Sequence, residues 1–220
     1  MTALRSVTFL LLLSMVTARS ATASPPPPGG CSAPARRDLR IHLINAADVV
    51  PRTLDDAEAE AARIWTTAGL RLTWTVPRTG FEITDPATVV VVVRRTLSRH
   101  SGARSDGAGG VPDPALGWVL FDADDKRGVV EVSIDAITAL VMEGLLGNKS
   151  VLTLPRRTQN NLLGRGLGRV IAHEIGHWRM GRAHTRGGLM KASLNARDLI
   201  DWAVPPLPHK WTAGECEGRP

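Results

Sequence analysis

No tyrosine occurs among the 220 residues, which removes one common catalytic acid, metal ligand and oxyanion donor. Two cysteines are too few for a disulfide-stapled scaffold or a four-thiolate zinc ribbon. After Val16 no apolar run approaches the roughly 20 residues that a membrane helix needs. No internal repeat is present. Basic residues outnumber acidic ones, 27 to 21, but they are scattered in pairs such as Arg36-Arg37 and Arg156-Arg157. The dense basic tract with interleaved aromatics that suits nucleic acid is missing, so no nucleic-acid partner is expected. A hydrophobic share of 43% excludes a disordered chain, and the length suits one domain.

The first residues read as an address. A charged start from Met1 to Arg5 precedes an apolar run from Val7 to Val16, and Ala21-Thr22-Ala23 fits an A-x-A cleavage site. Residues 1–23 are therefore expected to be a signal peptide, and the protein to be secreted or periplasmic. Residues 24–38 form a leader whose four consecutive prolines exclude a helix. Cys31 follows a small residue, but no aliphatic residue just precedes it and the apolar run is distant, so no lipid anchor is expected. Residues 39–220 are left as one domain.

Within that domain, residues 40–45 read as a strand and 53–68 as a helix with Leu54, Ala57, Ala61, Ile64 and Trp65 near helical spacing. Thr53 is the expected cap, Asp55 and Asp56 suit the positive end of the helix, and Gly69 closes it. Residues 70–76 read as a strand with Leu72, Trp74 and Val76 on one face. This strand–helix–strand order predicts a parallel pair. Val89 to Val93 reads as a strand buried on both faces. A glycine-rich loop follows from Ser98 to Pro114. Residues 117–121 and 129–134 then form two strands around an Asp-rich turn. Asp122, Asp124 and Asp125 fit a plain hairpin turn better than a calcium loop. From about 158 to 180 the period is helical, despite Gly164, Gly166 and Gly168 at roughly 1 kcal/mol each against alanine. Residues 181–220 are loop-rich, with one short helix at about 195–203.

The long helix ends in His173-Glu174-Ile175-Gly176-His177. Histidines four apart share one helical face, so two imidazoles can hold one metal ion, and Glu174 can reach a water on that metal as a base. Gly181 can supply a left-handed terminus, and His184 follows where a returning chain could present a third imidazole. Three imidazoles leave one tetrahedral position open, the pattern of catalytic rather than structural zinc.

The string from His173 to Met190, H-E-I-G-H-W-R-M-G-R-A-H-T-R-G-G-L-M, resembles the metzincin metallopeptidases, whose signature is H-E-x-x-H-x-x-G-x-x-H followed by a methionine turn. The resemblance implies an α+β, zincin-like fold. It comprises a twisted mixed sheet of about five strands, two long helices, and an active-site helix followed by a small C-terminal subdomain over 181–220. It implies that His173, His177 and His184 bind Zn2+ and that Glu174 is the general base. It also implies that Met190 packs beneath the metal and that the strand at 117–121 rims the cleft. The activity implied is a zinc-dependent endopeptidase, hydrolysing peptide or protein substrates through a zinc-bound water activated by Glu174.

One departure stands out. The family has its glycine three residues after the second histidine, and Gly181 comes four after His177. One residue turns a helix by about 100°. Either the helix runs one residue longer and the loop compensates, or His184 is displaced and Asp198 or Asp201 supplies a carboxylate ligand in a zincin of another clan. A zinc-retaining binding module without catalysis is the other alternative, though zinc binding alone does not require Glu174. The tyrosine that some members carry after the methionine turn cannot exist here. Cys31 and Cys216 either pair as a disulfide between the termini or leave Cys31 as a zinc latch. His42, His100 and His209 have no metal spacing, and Trp178 is expected to pack beneath the site.

Overall fold

The computed structural model describes residues 37–76, 88–97, 115–121, 128–181, 183–203 and 205–207. The fold is α+β, built on a five-stranded mixed sheet. Its first strand, β1 (Arg37–Asn45), buries Leu39, Ile41 and Leu43 on one face. It begins inside the segment assigned to the leader, because Arg37 and Asp38 pair with Leu70 and Arg71. The helix α1 (Pro51–Thr66) leads into β2 (Leu70–Thr75), which lies parallel to β1 as the sequence predicts. Strand β3 (Thr88–Arg94) pairs parallel with β1, and Val89 through Val93 are all buried. The sheet ends with β4 (Gly117–Phe121), antiparallel to β5 (Gly128–Ser133), in the order β2-β1-β3-β5-β4.

Several local expectations change. Thr53 is not a cap: α1 starts two residues earlier, with Pro51 at its first position, where a missing N–H costs nothing. Thr53 is instead buried, and Asp55 and Asp56 lie in the second turn. Val76 has left the sheet and is 84% exposed. A helix not foreseen, α2 (Ile134–Met142), follows β5 without a loop, and Ser133 caps it by accepting from the Ala136 N–H at 3.2 Å. A two-stranded hairpin, β6 (Leu145–Leu146) and β7 (Lys149–Ser150), was also not anticipated.

The long helix α3 (Arg156–Met180) is unbroken. Its glycines are sites of close approach. A methyl group at Gly164 would lie 2.6 Å from Asp56 Cβ, and one at Gly168 2.8 Å from Glu60 Cβ, so both bring α3 against α1. The propensity cost of these residues is offset by tight packing of the core, where Ala57, Ala61 and Ile64 meet Leu167 and Ile171. After α3 the chain forms a loop and then α4 (Ala196–Ile200), whose capping box joins Asn195 and Asp198. The segments 1–36, 77–87, 98–114, 122–127 and 208–220, with Cys31, His100, His209, Cys216 and the Asp-rich turn, lie outside the described residues.

Candidate metal centre

Helix α3 carries His173 and His177 on one face, one turn apart. It runs to Met180, and Gly181 turns the chain at φ +78°, its N–H donating to the His177 carbonyl at 2.7 Å. The helix therefore runs up to Gly181, four residues after His177. The loop after it is closed by the Thr185 N–H donating to the Met190 carbonyl at 2.8 Å, and it returns His184 to the helical pair. The His184 ring centroid lies 4.7 Å from that of His177 and 5.9 Å from that of His173. One ligand nitrogen from each of the three falls within 4.8 Å of the others, so the group can hold a metal ion. His173 is buried, His177 partly buried and His184 exposed, which leaves one side of the cluster open.

Hydrogen bonding aims two of these rings. Nδ1 of His173 lies 2.7 Å from the Leu189 carbonyl, and Nδ1 of His177 lies 3.1 Å from the Gly181 carbonyl. A carbonyl only accepts, so each Nδ1 carries the proton and each neutral ring presents a lone pair on Nε2. These two Nε2 atoms face each other at 2.9 Å. Two lone pairs at that distance repel unless a cation lies between them. Tetrahedral nitrogen ligands of one zinc ion stand roughly 3.4 Å apart, so the donor set fits such an ion. Burial also holds the His173 imidazole down at about 4 against the pull of the Leu189 carbonyl, which keeps the ring neutral. The His177 ring is lowered as well, again chiefly by burial.

Glu174 borders the same cavity of about 1060 Å3, together with the three histidines and residues of β4. Its side chain lies against Gly117: a Cβ there would be 2.8 Å from Glu174 Cγ and 2.9 Å from Oε1. No hydrogen bond or ion pair reaches this carboxylate among the described residues. Burial pushes its carboxyl up to about 8. Met190 is fully buried, and its sulfur and methyl group lie on Gly176, between the two helical histidines. Only glycine leaves room for it.

Asp198 and Asp201 are not brought to the cluster. Asp198 Oδ2 accepts from the Asn195 N–H and pairs with Lys191, while Asp201 Oδ1 accepts from the Ala203 N–H. Trp178 packs against Gly128 of β5 rather than under the histidines. His42 lies on the far side of the sheet order, its Nδ1 2.7 Å from Thr75 Oγ1 between β1 and β2.

Sequence reasoning missed the support beneath the site. Arg169, one turn before His173, is 2% exposed and bonds Glu60 Oε1 through Nε at 2.8 Å. Its other nitrogens donate to the carbonyls of Asp198, Asp201 and Ala203. The chain beyond them reaches Pro206, whose carbonyl accepts from Leu189 N–H at 3.1 Å. Leu189 in turn holds His173. The available signal was a charge of each sign inside the apolar stripes of α1 and α3. No known protein family and no curated protein matches this chain, so the chemistry of the site is argued from its own residues.

Proposed function

We propose that this chain is a zinc-dependent endopeptidase of metzincin type, exported by its N-terminal segment and acting on peptide or protein substrates. The observation that carries the reading is the pair of Nε2 lone pairs aimed at each other, with His184 beside them and a buried, unpartnered glutamate in the same cavity. His173, His177 and His184 would hold the ion. Zinc bound there supplies a Lewis acid that brings the pKa of water down to roughly 7 and polarises a carbonyl.

Glu174 then has a defined task. Once ionised beside a bound cation, its carboxylate would accept the proton of the attacking water and return it to the leaving amine. Among the described residues no cation or donor engages the carboxylate, so none lowers its basicity. Strand β4 is the last strand of the sheet among the described residues and lines the cavity, so an extended peptide could be added there as a further strand. The Leu189 and Gly181 carbonyls keep the two helical imidazoles in the ligating tautomer. Met190 fills the space behind them and excludes water.

Zinc content measured after equilibrium dialysis tests the ligand set. One ion per chain is expected for the wild type, and a loss of about a hundredfold in affinity for His184→Ala. Unchanged affinity in that variant would remove His184 from the set and return the carboxylate alternative.

A further inference from the structure

The cavity beside the histidines has a second wall, supplied by the helix that the sequence pattern did not reveal. Ile134, Ile137 and Val141 of α2 are buried in the core. Ala136, Ala139, Leu140 and Glu143, at i, i+3, i+4 and i+7, form the face of α2 that lines the cavity. Gly144 lies against Ala196 and Ile200 of α4, which ties the end of α2 to the segment that carries Leu194 and Asn195. Val170, one turn before Glu174, and Leu194 complete an apolar lining next to the metal ligands.

Glu143 is the only charged side chain on that face of α2. Its carboxylate has no cation partner among the described residues. Lys191, adjacent to the lining residue Ala192, is already engaged by Asp198. The result is a cavity wall of apolar side chains that carries, apart from the buried Glu174, one exposed carboxylate with no cation partner among the described residues. That combination fits a side chain with a methylene stem and a cationic tip.

We propose that the cavity selects peptides bearing lysine or arginine next to the scissile bond, with Glu143 holding the cationic end. The inference rests on the peptidase reading of the site. Because Glu143 is exposed, its contribution is that of a solvent-open ion pair, about fivefold in kcat/KM at low salt and less at high salt.

The test is a peptide library varied at each position flanking the scissile bond, cleaved by the zinc-loaded wild type, Glu143→Gln and Glu143→Lys. The readout is the ratio of kcat/KM for lysine against its uncharged isostere norleucine. A ratio of about five is expected for the wild type, near one for Glu143→Gln, and below one for Glu143→Lys. Zinc-loaded Glu174→Gln, which should bind without turnover, gives the same comparison as dissociation constants by fluorescence anisotropy. Cleavage without a basic preference, or a preference that survives Glu143→Gln, overturns the inference and leaves the peptidase reading standing. Failure to cleave any library member overturns the peptidase reading and the inference with it.

Discussion

Two glutamates face each other in function across one helix. Glu60 of α1 is 7% exposed and Glu174 of α3 is 5% exposed, so both leave water almost completely. Glu60 is met by Arg169 at 2.8 Å and by Arg63 at 2.7 Å. A third buried glutamate, Glu131 of β5, is similarly met by Arg94 at 2.7 Å and the Trp118 indole at 3.1 Å. Glu174 has no hydrogen-bond or ion-pair partner among the described residues. Removing a carboxylate from water without a partner is costly, so such a group persists where its reactivity is used. The partnered glutamates hold the scaffold together, and the unpartnered one borders the cavity.

The contrast can be broken from either side. The largest change in stability is expected from Arg169→Met, which leaves Glu60 half-stranded, with only the more exposed Arg63 beside it, and frees three carbonyls of the C-terminal segment. A loss of about 3–5 kcal/mol is expected, read as a fall of roughly 10 °C in Tm. A Glu60→Met/Arg169→Leu double variant should recover part of it, since the stranded charge is gone. A Tm unchanged in Arg169→Met would mean that the buried pair is not structural.

Gly117→Ala acts on the other glutamate. Its methyl group would press on Glu174 Cγ and Oε1, so kcat should fall about tenfold or more while Tm moves little. The reverse pattern, a lower Tm with intact kcat, would show that the carboxylate has room to shift.

The smallest effect concerns pH in the chelated protein. Burial keeps the folded carboxyl of Glu174 protonated up to about 8, whereas the unfolded one ionises at the ordinary 4.5. The folded state binds more protons across that window, so this group subtracts stability as pH rises through it. Glu174→Gln, which does not titrate, should therefore gain on the wild type as pH rises from 4.5 to 8, read as a Tm difference that widens with pH. His173 acts oppositely, since burial holds its folded imidazole at about 4, below the ordinary 6.5, and stability is lost as pH falls through that interval. It is common to both proteins and cancels in the difference.

What the sequence made legible follows from how local each signal is. The parallel pair β1–β2, the buried valine strand and the long helix were all visible as short-range periodicity. His173, Glu174 and His177 were visible because a helix alone sets their spacing. α2 was hidden for the opposite reason: Ile134 to Met142 is apolar on nearly every side and follows β5 without a turn, so no start signal separates it from the strand read over 129–134. The glycines of α3 looked like weaknesses because their gain lies in another helix. Arg169 and Glu60, 109 positions apart, meet only through tertiary packing. The same is true of the Leu189 carbonyl that fixes the His173 tautomer.

The most direct measurement compares wild type and Glu174→Gln, each assayed for zinc content and for hydrolysis of a peptide library with and without chelator. One zinc ion per chain is expected in both, with chelator-sensitive hydrolysis by the wild type and a rate lower by about a thousandfold in the variant. Equal rates at equal zinc content, or a wild type that takes up no zinc, would contradict the assignment of a three-histidine centre with Glu174 as its base.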